Sequence, residues 1–322
     1  MFNVLSLCDG MSCGQMALEK LGIKVDNYFA SEIKPHAIKL TQHNFPNTIQ
    51  IGDVNKVSYK NGRLYTENRS YPVKIDLVMF GSPCQSFSRA MIKERKIGLE
   101  DKQRSGLFLE CYRILKEVNP TYFLMENVVM DEENKNIISD LLGVQPVRIN
   151  SSLLSAQLRD RLYWTNIPNI TVPEDKGIKL SDILEEGYTP LDKARCLLAN
   201  DSHGFYNGSN YSYVKRFART YLKSFGTMIV PSKEYFDNCM NVLKRKFNGH
   251  KYSAKMLDDY SGNDFDNARY LTKYERARLQ TVPEKYIETL SEKEASDLLG
   301  DGWTVDVIAH IFKGLSEYLD KK

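Results

Sequence analysis

Up to about residue 165, short apolar runs alternate with stretches whose apolar residues recur every three or four positions. That alternation is what a parallel α/β sheet with helical crossovers requires. Phe2–Leu7, Tyr28–Ala30, Ile49–Ile51, Ile75–Phe80 and Tyr122–Met125 read as strands. They are apolar at successive positions, as strands covered on both faces must be. Gly14–Leu21 and Leu107–Lys116 read as helices. In the second, Leu107, Phe108, Cys111, Ile114 and Leu115 share one face at helical spacing. Past Pro168 the alternation fades, and residues 199–213, rich in Asn, Ser, Gly and Tyr, favour turns. A last helix is marked by the stripe Val305, Ile308, Ile311, Phe312, Leu315 and Leu319. No internal repeat or low-complexity tract interrupts the pattern.

A chain of 322 residues with 42% hydrophobic and 11% aromatic content can bury a substantial core, which excludes a disordered protein. No apolar run approaches the roughly 18 residues of a membrane helix, so no membrane partner is expected. The opening MFNVLSLCDG has no basic leader and reaches Asp9 too early for a signal peptide, which points to the cytoplasm. Six cysteines without a CxxC pair give neither a zinc signature nor a disulfide framework, so no metal is expected. The net charge of +3 conceals an asymmetry. Between Lys193 and Lys255 stand twelve Lys and Arg against three acids, a surplus of +9, so the remainder carries −6. Opposite blocks suggest two parts with different tasks, although a basic stretch can also be no more than a solvated face.

In an open parallel sheet, ligands bind beyond the carboxyl ends of the strands. Five of those ends carry chemistry: Cys8-Asp9-Gly10-Met11-Ser12-Cys13-Gly14, Ser31-Glu32, Gly52-Asp53, Gly81-Ser82-Pro83-Cys84-Gln85 and Glu126-Asn127-Val128. Each alone reads as a turn or a solvated acid; five in succession at equivalent places form a site. Gly10 and Gly14 let backbone approach a ligand, but a true GxGxxG is missing, which disfavours a dinucleotide pyrophosphate. An acid after the second strand suits paired ribose hydroxyls, and Asp53 can accept from an exocyclic amine. The implied ligand is a nucleoside without a phosphate tail. Cys84, after a proline at a strand end, can serve as an exposed nucleophile, against the commoner fate of an inert buried thiol. Glu126 is the candidate acid, a role that needs burial to hold a proton near neutrality. Arg159 and Arg161, two apart in a strand-like segment, can clamp an anion or a base edge, or form a surface salt-bridge face.

In order along the chain, LSLCDGMSCG, ASEI, GDV, GSPCQSFSRA, KQRSGLFLECYRIL, MENV, AQLRDRLYWTN and YLTKYERARLQTVP resemble the C5-cytosine DNA methyltransferase family. PCQ, then ENV, then QxRxR is a far more specific signal than any one motif. LSLCDGMSCG, VDNYFASEI and the ending LLGDGWTVDVIAHIFKGLSEYL resemble the de novo animal branch more than the usual bacterial pattern. The resemblance implies a Rossmann-like S-adenosylmethionine-dependent methyltransferase sheet with an inserted, smaller target-recognition domain. Residues 1–167 and 268–322 would form the catalytic domain and 168–267 the insert. It further implies that S-adenosyl-L-methionine lies over Asp9, Gly10, Met11, Ser12 and Cys13, with its ribose on Glu32 and its adenine near Asp53, Val54 and Asn55. Leu107, Asp301, Gly302 and Trp303 would close that pocket.

By the same resemblance, Cys84 attacks cytosine C6, Glu126 protonates N3, and Arg159 and Arg161 hold the base and neighbouring backbone. Double-stranded DNA is the implied partner. The target base must leave the helix, because C6 is inaccessible within a duplex. The basic segment, with Tyr206, Tyr211, Tyr213, Phe217, Tyr221, Phe225 and Tyr252 interleaved, falls in the recognition domain. There Arg216, Arg219, Lys244, Arg245 and Lys246 are candidate phosphate contacts. Three departures stand out: Cys8 where the family usually has Phe, Val282 for an aromatic, and Gly300-Asp301-Gly302-Trp303 in place of the GN ending. Two alternatives remain at this point. One is a tRNA cytosine-C5 methyltransferase of the same superfamily, against which SPCQSFS differs from that branch's PPCQPFT. The other is a non-catalytic DNA-binding relative, which has no physical need to keep Cys84, Glu126, Arg159 and Arg161.

Overall fold

A computed structural model describes residues 1–82, 106–199 and 213–319 of the chain. It divides into two compact units. The first comprises Met1–Asn150, Asp160–Glu174 and the chain from Gly302 on; the second comprises Ser151–Arg159 and Asp175–Asp301. Residues 151–159 and 268–301, which the sequence groups with the catalytic part, therefore cluster within the second unit.

The strands of the first unit are β1 (Asn3–Leu7), β2 (Asn27–Ser31), β3 (Ile49–Gln50), β4 (Ser58–Lys60), β5 (Arg63–Tyr65), β6 (Ser70–Pro72), β7 (Leu77–Phe80), β8 (Tyr122–Val128), β9 (Val147–Asn150) and β10 (Asp160–Thr165). Seven of them form one sheet in the order β3-β2-β1-β7-β8-β10-β9. β3, β2, β1, β7 and β8 are parallel, whereas β10 runs antiparallel to both β8 and β9. The direction of travel across the sheet reverses between β1 and β7, which opens a crevice at their carboxyl ends. Strands β4, β5 and β6 make a separate antiparallel sheet, turned between β4 and β5 by Asn61 and Gly62, both at positive φ. The hydrophobic runs do not announce this sheet, because its strands are three residues long and mostly polar or half-buried.

Both faces of the main sheet are covered, as its uninterrupted apolar strands require. Leu5, Leu7, Phe29, Val78, Phe80 and Met125 pack with Phe108, Cys111 and Ile114 of the helix Gly106–Val118 (α3) in one core. On the opposite face, Gly14 of the helix Cys13–Lys20 (α1) lies so close to the Met79 side chain that a Cβ there would clash. Burying each such Leu or Phe contributes roughly 1.5–3 kcal/mol. The remaining α-helices of this unit among the described residues are α2 (Pro35–Asn44), α4 (Glu132–Leu142) and the C-terminal helix Val305–Leu319, which packs on α1. Strand β8 is longer than its apolar core predicts. Glu126 and Asn127 lie inside it, because β10 supplies an antiparallel partner as far as Val128.

Among the described residues the second unit holds four α-helices: α5 (Tyr213–Lys223), α6 (Lys233–Phe247), α7 (Lys273–Leu279) and α8 (Glu292–Asp301). Ser232 caps α6 by accepting from the Tyr235 N–H, and Thr272 with Glu275 forms a capping box on α7. Its core gathers Val214, Phe217, Met228, Val230, Cys239, Leu243, Phe247 and Phe265. This sorts the interleaved aromatics: Phe217, Tyr221 and Tyr252 serve that core, while Tyr213 and Phe225 are exposed. Tyr206 and Tyr211 lie outside the described residues. No described helix is long and apolar enough to cross a membrane.

Candidate active site

At the end of β1 the chain turns sharply, with Cys8, Gly10 and Ser12 all at positive φ. Two of these are not glycine, so the turn is strained and must be held from outside. Glu32, just after β2, does so: Oε2 accepts the Gly10 N–H at 2.7 Å, and Oε1 accepts the Ile33 and Lys34 N–H groups. The Asp9 carboxylate accepts from the Tyr28 hydroxyl at 2.7 Å and from the Ser12 hydroxyl. Met11, Ser12 and Cys13 are buried beneath the turn.

Burial pushes the Asp9 carboxyl up from 3.8 to about 6, with nearby Glu32 adding to the rise and the hydroxyls of Ser12, Ser6 and Tyr28 opposing it. The folded chain thus holds this proton more tightly than the unfolded one. The associated stability is fully present below about pH 4 and is lost as pH rises through 6. Asp9→Asn removes the ionisation. Its stability relative to the native chain should therefore improve by about 2–3 kcal/mol between pH 4 and pH 8. Urea unfolding of both proteins at the two pH values measures this, and a difference that does not change with pH would refute it.

The end of β3 leads through Gly52, at positive φ, to Asp53, whose Oδ1 accepts from the Asn55 backbone and side-chain N–H groups. Val54 turns its side chain into the main core. A Cβ added at Gly10 or Gly52 would meet nothing within 4 Å among the described residues, so there is open space over both turns. Three buried polar groups at the strand ends have no hydrogen-bond partner among the described residues: the Gln50 amide, Ser82 Oγ and Asn127 Nδ2. Acidic acceptors, open space over two glycines and uncommitted polar atoms suit a neutral-headed nucleoside with a polar tail, which describes S-adenosyl-L-methionine. Leu107, in α3, packs against the main core. Asp301 ends α8 in the second unit, whereas Gly302 and Trp303 belong to the first.

The other half of the site is built around Gly81, directly after β7. Glu126, only 8% exposed, receives the Trp303 indole N–H on Oε2 at 3.0 Å and the Arg161 guanidinium on Oε1 at 2.9 Å. The ladder explains the second contact. Glu126 is paired with Tyr163, and Arg161 lies two residues earlier on the same face of β10, the diagonal position within reach of a long side chain. A Cβ at Gly81 would stand 2.7 Å from the Trp303 Nε1 and 3.1 Å from Glu126 Oε2, so glycine here leaves room for Trp303 and Glu126 to meet. Trp303, anticipated as a wall of the cofactor pocket, therefore also fixes the acid. Cys84 follows Gly81 by three residues and lies outside the described residues.

Arg159 and Arg161 are not presented alike. β10 begins at Asp160, so the shared-face reading holds for Arg161 and not for Arg159, which precedes the strand. Arg159 is 4% exposed and donates to the carbonyls of Leu197 and Gly300 within the second unit. Beside it, Gln157 accepts from the Leu197 N–H and donates to the Leu279 carbonyl. The other cysteines within the described residues are free thiols. Burial pushes Cys239 up to about 11, and a hydrogen bond with Cys8 together with burial pushes Cys111 well above the usual thiol range. No group of three or more His, Cys, Asp or Glu suited to a metal ion occurs among the described residues.

Among the candidate phosphate contacts, Lys244, Arg245 and Lys246 form the last turn of α6, and Lys246 pairs with Asp259 at 2.9 Å. Lys215 likewise pairs with Asp258 at 2.5 Å. Both acids stand just past the basic window, so part of its surplus is neutralised within the unit. Arg216 and Arg219 stack on Tyr270 and Phe225.

The family model of C-5 cytosine-specific DNA methylases matches residues 2–144 and 151–317. The type II methyltransferase M1.ScrFI of Lactococcus lactis subsp. cremoris is 28% identical over 324 residues, covering 92% of this chain and 74% of that protein. The orphan methyltransferase M.Rho11sI of Bacillus phage rho11s is 31% identical over 201 residues, 58% of this chain and 37% of its own length. The chain thus spans well under half the length of that phage relative. Among solved structures, the methyltransferase EhMeth of Entamoeba histolytica matches with a TM-score of 0.65 at 16% identity, covering 99% of each chain. A mutant DNMT2 of Spodoptera frugiperda matches at 0.64 and 20%, covering 98% of this chain and 100% of that one. At such identities the likeness concerns the fold, and it agrees with the Rossmann-like sheet described above. With strand order, site chemistry and a family match across nearly the whole sequence in agreement, the chain belongs to the C-5 cytosine-specific DNA methylases, which use S-adenosyl-L-methionine.

Proposed function

We propose that the protein methylates C5 of cytosine within a specific sequence of double-stranded DNA, through a covalent bond between Cys84 and C6 of a flipped-out base. The observation that carries this reading is the convergence of Arg161 and Trp303 on Glu126, beside Gly81 at the strand end that leads into Cys84. The Cys84 thiolate adds to C6 while Glu126 delivers a proton to N3, which places electron density on C5. Bound S-adenosyl-L-methionine supplies an electrophilic sulfonium methyl for that carbon. Loss of the C5 proton then reopens the C6–S bond and returns the thiolate. Arg161 and Trp303 each occupy one lone pair of Glu126, orienting it and leaving the second lone pair of each oxygen for the proton exchanged with N3.

Asp9, Gly10, Met11, Ser12, Cys13, Glu32, Asp53, Val54 and Asn55 would hold the cofactor, with Leu107, Asp301, Gly302 and Trp303 closing over it. Glu32 has a second duty in this scheme, since its oxygens also hold the strained turn. Residues 168–267 would act as the target-recognition domain. Arg159 supports it from within, and Arg216, Arg219 and Lys244–Lys246 face phosphate. The working place would be the cytoplasm, at the nucleoid of a bacterial or phage-infected cell, in keeping with relatives from bacteria and phage.

Methyl transfer from labelled S-adenosyl-L-methionine to unmethylated duplex DNA and to total tRNA tests the reading. Label should enter DNA at a single sequence context, at C5 of cytosine. Label in tRNA alone, or in neither, would overturn it.

A further inference from the structure

The Asp9 carboxylate, at the end of β1, is gathered into hydroxyl groups that the methyl-transfer steps do not use. Tyr28, buried in β2, donates its hydroxyl to Asp9 Oδ1 at 2.7 Å. Ser12, at the head of α1, donates to Oδ2 and shares a hydrogen bond of 3.1 Å with the Thr41 hydroxyl of α2. The Ser6 hydroxyl of β1 supplies a further hydrogen bond. The Asp9 N–H donates to the Ser31 carbonyl at 3.0 Å, so β2 holds both the backbone and the side chain of this residue. The titratable groups that act on the carboxylate are Tyr28 and Glu32, from β2 and its end. From β1, α1 and α2 it meets the hydroxyls of Ser6, Ser12 and Thr41, which do not titrate in the working range.

Two carboxylates at one turn repel each other, and burial adds to the cost of charging the inner one. Hydroxyls that donate to a carboxylate favour its charged form, so the cluster works against both effects. S-adenosyl-L-methionine carries a sulfonium and an ammonium against a single carboxylate, a net cation. We propose that Tyr28 is a positioning residue for cofactor capture: its hydroxyl fixes Asp9 as an oriented anion, so that the turn after β1 presents a second negative charge, beside Glu32, to the cationic cofactor. The inference rests on the cofactor reading given above; the hydroxyl cluster itself does not depend on it. Tyr28 touches no reacting atom and acts through Asp9 alone. In the sequence it reads only as an apolar strand position, because its hydroxyl partner lies nineteen residues earlier.

The test measures the Kd of S-adenosyl-L-methionine by calorimetry on the full chain, for the wild type, Tyr28→Phe and Asp9→Asn, with thermal unfolding as the check on folding. The pH is varied from about 5 to 7.5, where the cofactor's α-amino group stays largely protonated. Burial holds the Asp9 carboxyl at about 6, so wild-type affinity should fall as pH drops through that value, by about tenfold. Tyr28→Phe keeps the buried ring and removes only the hydroxyl. Its midpoint should move up by about one pH unit, the size of effect expected from one hydrogen bond to a charged group. The ratio of its Kd to that of the wild type should therefore peak near about pH 6.5 and decline above it. A merely structural loss would weaken binding equally at every pH. Asp9→Asn should bind weakly with no step. A folded Tyr28→Phe with the wild-type midpoint would overturn the proposal, and so would a step that survives in Asp9→Asn. A wild-type protein that binds no S-adenosyl-L-methionine at any pH would overturn the cofactor reading itself, a result distinct from a midpoint that does not move.

Discussion

Cys84→Ala should reduce methyl transfer by at least about 10³-fold, because the reaction loses its covalent step and C5 of an intact cytosine is too weak a nucleophile to replace it. The variant should still bind duplex DNA, since phosphate contacts rather than the thiol supply most of that affinity. DNA carrying 5-fluorocytosine at the target supplies a second readout. Fluorine cannot leave C5 as a proton does, so the wild type should be trapped as a covalent adduct stable to denaturation, and Cys84→Ala should yield none. Three other cysteines are poorly suited to take over: Cys111 and Cys239 are buried thiols held above the usual range, and Cys13 is buried under the β1 turn. Methylation mapping in cells expressing each form completes the test. Equal methylation in both would remove Cys84 from the mechanism.

The parallel strands were legible because strands covered on both faces are apolar throughout, and β1, β2, β7 and the first part of β8 lie within two residues of where the hydrophobic runs place them. The extension of β8 through Glu126 and Asn127 was not. It depends on pairing with β10, about 35 residues away, and polar residues inside a strand leave no apolar trace. The Asn61-Gly62 turn had a local signal, because Asn-Gly is a strong hairpin former, but an apolar scan does not register strands of only three residues. The basic segment shows how a charge window can mislead. Asp258 and Asp259 lie just outside it in sequence, yet they pair with Lys215 and Lys246 inside it. By contrast, Glu126, Arg161 and Trp303 were each marked by a motif. What the sequence lacked was their mutual geometry, and with it the second role of Trp303.

Arg161→Ala should destabilise the protein by about 3–5 kcal/mol, far more than an exposed pair is worth, because it takes the guanidinium away from the Glu126 carboxyl inside a buried strand. Both side chains are about nine-tenths buried, at 12% and 11% exposure, so water cannot stand in for the lost partner. Glu126→Gln should lower the catalytic rate by about 10²–10⁴-fold through loss of the proton delivered to N3. It also strands the Arg161 guanidinium, so its stability cost should be of the same kind. Replacing both, with Arg161→Met and Glu126→Leu, removes the two charges together and should recover most of the stability while leaving the enzyme inactive. A double-mutant cycle by urea unfolding reads this directly, and the coupling between the two positions should exceed about 1 kcal/mol. Trp303→Phe keeps the ring packed near Gly81 and removes only the indole N–H, so it should cost about 1.5–3 kcal/mol and slow catalysis with little change in KM for DNA. Additive losses at Arg161 and Glu126 would mean that the pair is a bystander. Non-additive stability with full activity in Arg161→Ala would separate the scaffold from the chemistry and remove Arg161 from the positioning of the acid.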